Sequence, residues 1–134
     1  NDVLEGQDLT IITASEAVYD CLEVAKSLSN ELSIEIVDLL SIKPYDKETI
    51  LNSVMKTRRL LFVDTGWPSF GVSAEIVAMV AEEAHEYLIQ APKRIGMVET
   101  PAPASPYLLK NYHPSQDRIK EAILNIFTKK TKFS

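Results

Sequence analysis

Two glycines, Gly66 and Gly71, frame the segment Asp64-Thr65-Gly66-Trp67-Pro68-Ser69-Phe70-Gly71, which separates an apolar strand from a helix. Backbone amides at the start of a helix lack intrahelical partners and can hold an anion. The glycine spacing fits neither G-x-G-x-x-G nor G-x-x-x-x-G-K-[ST]. No Lys or Arg occurs between Asp64 and the helix, so a phosphate bound there would lack a cation. Trp67, Pro68 and Phe70 beside one another point instead to a protein contact, because aromatic residues concentrate at the centres of interfaces.

The remaining reactive side chains form no complete set. Asp38 and Asp64 close two strands, but a phosphoreceiver domain would also need carboxylates after the first strand to hold Mg²⁺, and Thr13-Ala14-Ser15 stands there. His85 lies in an acidic patch near a helix end, and His113 precedes Pro114; two histidines without nearby cysteines make a poor metal site. Cys21 falls on an apolar helix stripe with no basic neighbour in sequence to stabilise a thiolate, and reads as a small core residue. Ser15, Ser69 and Ser73 have no G-x-S-x-G setting. No catalytic, cofactor-binding or metal-binding residue is assigned. The expectation is a domain that supports chemistry performed elsewhere.

The elements that would position these residues alternate. Leu9-Thr10-Ile11-Ile12-Thr13 is a short apolar, β-branched run, the pattern of a strand buried on both faces. Ser15 is placed to cap a helix whose stripe is Val18, Cys21, Leu22, Ala25 and Leu28. Ile34–Leu39 reads as a second strand. Asp46 caps a second helix turning Ile50, Leu51, Val54 and Met55 inward. Leu60–Val63 is a third strand, followed by the glycine loop and a helix over 72–84. Lys93–Val98 is a fourth strand, weakened by Gly96. Pro101, Pro103 and Pro106 forbid regular structure over 100–106, and a last helix over 115–129 packs Ile119, Ala122, Ile123, Ile126 and Phe127.

Strand–helix alternation with doubly buried strands predicts a three-layer α/β/α sandwich around a mostly parallel sheet of four to five strands. Right-handed crossovers then bring the strand C-termini to one edge, which carries Thr13-Ala14-Ser15, the Leu39 to Lys43 segment, the glycine loop and the proline segment. Residues 1–8 read as a lead-in linker, 9–129 as a single domain and 130–134 as a basic tail.

At 134 residues the chain can build one core. Nineteen acidic against fourteen basic residues give a net charge of −5, which argues against gripping nucleic acid. One cysteine excludes an internal disulfide framework. No apolar run approaches membrane-spanning length, and no leader opens the chain, so the expected location is cytoplasmic. The start at Asn1-Asp2 suggests a piece of something longer.

Four stretches resemble the C-terminal domain of transketolase-like thiamine-diphosphate enzymes, most closely the β subunit of the first component of 2-oxo acid dehydrogenases. Glu5-Gly6-Gln7-Asp8-Leu9-Thr10-Ile11-Ile12 is similar to the motif EGxDxTI(V/I). Val37-Asp38-Leu39 with Ile42-Lys43-Pro44-Tyr45-Asp46 is similar to (V/I)DLRxLxPxD. Asp64-Thr65-Gly66-Trp67-Pro68 through Gly71-Val72-Ser73-Ala74-Glu75-Ile76 is similar to EEGxxxxGxGAEI. Pro101-Ala102-Pro103 with Leu108 and Pro114 is similar to PxPxxxxLExxxxP.

The resemblance implies a fifth, edge strand, parallel or antiparallel to its neighbour. It implies that thiamine diphosphate and Mg²⁺ belong to other domains of the parent enzyme, and that this domain completes a homo- or hetero-oligomer. The implied partners are its own catalytic domain, the α and β subunits, and an acyltransferase core, with Gly66, Trp67, Pro68, Gly71, Pro101 and Pro103 near subunit contacts. The alternative is a free-standing α/β module for small-anion binding or protein interaction.

Overall fold

The computed structural model describes residues 2–14, 17–39, 47–64, 70–96 and 114–128. Among these residues, five strands and four helices follow in the order β1 (Asp2–Leu4), β2 (Leu9–Thr13), α1 (Ala17–Ser27), β3 (Ile34–Asp38), α2 (Lys47–Thr57), β4 (Leu60–Asp64), α3 (Phe70–Glu83), β5 (Lys93–Gly96) and α4 (Pro114–Thr128). The sheet order is β1-β3-β2-β4-β5. Only β1 runs antiparallel, beside β3.

Alternation along the central strands sorts their side chains into two cores. Leu9 and Ile11 of β2, Ile34 and Ile36 of β3, and Leu61 and Val63 of β4 pack against α1 and α4. Ile12, Val37, Leu60 and Phe62 face the opposite way, toward α2 and α3, where Ile50, Val54, Ile76 and Val80 are buried. Both faces of β2 and β4 are fully covered, as their apolar composition requires. The expected three-layer α/β/α sandwich is the observed architecture.

Three expectations need correction. Residues 1–8 are not merely a linker, because Asp2–Leu4 is the edge strand of the sheet. In α1 the buried positions are Ala17, Cys21, Val24 and Ala25, with Val18 and Leu22 only half-buried. The packed seam is turned from the predicted stripe because α1 covers the sheet and lies beside α4 at once. In α2, Met55 is exposed while Ser53 and Thr57 are buried. The helix faces polar groups on the strands beneath it, so hydroxyls take the inward positions.

Candidate functional site

The connection after β2 leads to α1 on one face of the sheet, and that after β4 leads to α3 on the other. Neighbouring strands β2 and β4 therefore part company at their C-terminal ends, where an open α/β sheet has its natural crevice. The Thr13 hydroxyl donates to the Val63 carbonyl at 3.2 Å and ties the two strand ends together. Asp64, the last residue of β4, is 4% exposed and accepts a hydrogen bond from the Ser73 hydroxyl in the first turn of α3. Arg94, exposed on β5, donates to the same Ser73 oxygen at 3.2 Å. Carboxylate, hydroxyl and guanidinium thus join the end of β4, the beginning of α3 and β5.

A second bracket lies on the other face. Asp20 in the first turn of α1 accepts from Ser115 Oγ at 2.8 Å and from Gln116 Nε2 at 3.0 Å, fixing the first turn of α4. The predicted contact residues relate to these brackets only in part. Gly66, Trp67, Pro68, Pro101 and Pro103 lie outside the described residues. Phe70 and Gly71, expected in the loop, belong to the backbone of the first turn of α3.

Cys21 is fully buried. Burial, with a smaller push from the Asp20 charge, raises its thiol to about 12 against the pull of a hydrogen bond with Thr13. Such a thiol stays protonated at neutral pH, which suits a core residue and not a nucleophile. His85 is exposed just beyond α3, its Nδ1 3.4 Å from the Glu82 carbonyl.

The opposite, N-terminal end of the sheet holds polar chemistry that the sequence reading passed over. Thr10 and Glu35 are paired neighbours on β2 and β3, side by side on the face covered by α2. Glu35 is 1% exposed and takes the ammonium of Lys56, while its Oε1 also accepts the Gly6 amide at 3.0 Å. Thr10 Oγ1 lies 2.7 Å from Ser53 Oγ and 2.6 Å from Thr57 Oγ1. Burial alone would push the Glu35 carboxyl up; hydrogen bonds from Lys56, Ser53 and the Gly6 amide outweigh it and hold the group below its ordinary value. The available signal was the spacing of Ser53, Lys56 and Thr57, three and four residues apart and therefore on one side of a helix.

Residues 2–119 match the sequence profile of the transketolase C-terminal domain. The chain belongs to that family. The match begins inside β1, so the family's domain includes the edge strand. Pyruvate dehydrogenase E1 component subunit beta, mitochondrial, of Chaetomium thermophilum is 41% identical over 118 residues, covering 87% of this chain and 31% of the relative. The bovine mitochondrial protein of the same name is 40% identical over 124 residues, 91% of this chain and 34% of its own length. The beta-1 subunit of Arabidopsis thaliana, also mitochondrial, is 45% identical over 100 residues, 74% of this chain and 28% of the relative. This transketolase C-terminal domain therefore spans about a third of the length of the curated relatives it matches. Their mitochondrial location overturns the expected cytoplasmic one. Among solved structures, a chain described as "Split gene transketolase, inactive beta4 tetramer" superimposes with a TM-score of 0.70 at 24% identity, covering 97% of this chain and 42% of the other, a likeness of fold.

Proposed function

We propose that this chain is the C-terminal assembly domain of the β subunit of a thiamine-diphosphate-dependent 2-oxo acid dehydrogenase. The parent enzyme would decarboxylate a 2-oxo acid and pass the acyl group to a lipoyl carrier. The observation that carries this reading is identity of 40–45% over most of the chain to subunits named as pyruvate dehydrogenase E1 beta. In this reading the C-terminal sheet edge, with the loop holding Trp67 and the segment holding Pro101 and Pro103, meets other subunits and the acyltransferase core.

The described residues do not fit a thiamine diphosphate site. A diphosphate held through a divalent cation needs several oxygen ligands converging on one point. Among the described residues no three of His, Cys, Asp and Glu come together in that way. At the crevice, the buried Asp64 carboxylate is engaged by Ser73. In this reading cofactor and metal are held by other parts of the parent enzyme, and the domain acts by placing those parts.

Titration calorimetry of the 134-residue chain with thiamine diphosphate and Mg²⁺ tests the assignment. No saturable heat is expected. A dissociation constant in the micromolar range would refute a pure assembly role.

A further inference from the structure

β1 is held to the sheet by little of its own. It is three residues long, its Val3 is 39% exposed, and its pairing with β3 is irregular between Asp2 and Leu4. A strand that short buries too little apolar surface to stay docked unaided. The fastening lies just after it. Gln7 N donates to Ser33 Oγ at 3.0 Å and to Ser33 O at 3.1 Å; Asp8 N donates to Ser33 O at 2.7 Å, and Ser33 N returns a bond to Asp8 Oδ2 at 2.8 Å. Arg59 Nη1 reaches the Asp8 carbonyl at 3.4 Å, while its guanidinium lies 4.4 Å from the centre of the Phe127 ring on α4. All but one of the described contacts of residues 6–8 are at exposed or partly exposed positions, where water competes for the same groups.

The exception is Glu35. Its Oε1 accepts both the Gly6 amide and the Lys56 ammonium, so one buried oxygen joins the lead-in chain to α2. An ionised carboxylate at 1% exposure persists only with a compensating charge, and Lys56 supplies it from a side chain that is itself 35% exposed. The seat of β1 thus depends on a charge pair belonging to two other elements.

We propose that Glu35 is a latch for the first strand: with the Lys56 pair intact, residues 2–8 are fastened as one unit, and without it they release while the four parallel strands stay folded. The latch would set the direction in which any preceding polypeptide leaves the sheet. It rests on the described contacts alone and stands apart from the proposed enzyme.

Amide hydrogen exchange on the 134-residue chain tests it, comparing wild type with Glu35→Gln and Lys56→Met. In both variants the Leu4, Gly6, Gln7 and Asp8 amides should exchange at least tenfold faster, while those of Ile11 and Phe62 stay within twofold. Unchanged exchange at Gly6–Asp8, or equal acceleration in β2 and β4, would overturn the latch. Should the variants fail to fold, wild-type exchange in low denaturant decides. A single shared opening of residues 4–8, well below global unfolding, is expected; opening only together with β2 and β4 refutes it.

Discussion

Gly6 approaches Ile34 so closely that a methyl group in place of its hydrogen would sit 2.3 Å from the Ile34 carbonyl carbon and 2.6 Å from the Glu35 nitrogen. Both atoms are strand backbone, which cannot turn aside as a flexible side chain would. Gly6→Ala should therefore destabilise the chain by about 1–3 kcal/mol, the usual penalty for overfilling a packed site. Urea unfolding checks this, and an unchanged midpoint would mean the two segments can separate without loss.

The Glu35–Lys56 pair makes acid stability predictable in sign. The folded-state value of Glu35 lies below the ordinary 4.5, so its contribution is fully present above that pH and disappears as pH falls through the lower, folded value. Melting temperature measured from pH 7 down to pH 3 should fall less steeply for Glu35→Gln than for wild type, from a lower starting point at neutral pH. Superimposable curves would assign the acid limb to other carboxylates.

Asp20 fastens α4 to α1 through two hydrogen bonds to one carboxylate. Asp20→Ala should lower stability by about 1–2 kcal/mol, as loss of charge-assisted bonds at a partly buried site does. Asp20→Asn, which keeps one acceptor oxygen for Ser115, should recover part of that loss.

Cys21 should resist alkylation in the folded chain at pH 8 and react at once in denaturant. Because its folded value of about 12 exceeds the ordinary value of 9.0, it favours the fold below pH 9 and loses that contribution as pH rises toward 12. Labelling by iodoacetamide followed by intact-mass measurement checks the first point; rapid native labelling would show that the α1–α4 core opens readily.

Trp67→Ala bears on the proposed assembly role. Sedimentation should show weaker self-association, or weaker association with an α subunit, at a melting temperature within about 2 °C of wild type, since the proposed role of Trp67 is a contact between subunits and not the core of this domain. Identical association for both proteins would remove that loop from any interface.

The architecture was legible because its cause is local and periodic. Leu60–Val63 has no polar interruption, and Ile119, Ala122, Ile123 and Ile126 repeat at helical spacing; each took the predicted form. Other features depend on partners distant in sequence. Nothing within Asp2-Val3-Leu4 declares a strand; its pairing with Ile36 and Val37 does. Met55 looks like a core residue until Thr10 and Glu35 are found beneath α2, when Ser53 and Thr57 become the better fit. At the crevice, Asp64 was recognised as a strand-end carboxylate, but its bond to Ser73 and the reach of Arg94 required the strand order.

The margins of the sheet also govern what the molecule avoids. One outer strand is only three residues long and the other opens with the exposed cations Lys93 and Arg94. A brief flank and a charged flank are poor templates for main-chain growth by an incoming copy, so cross-β polymerisation has no ready starting point along the described strands.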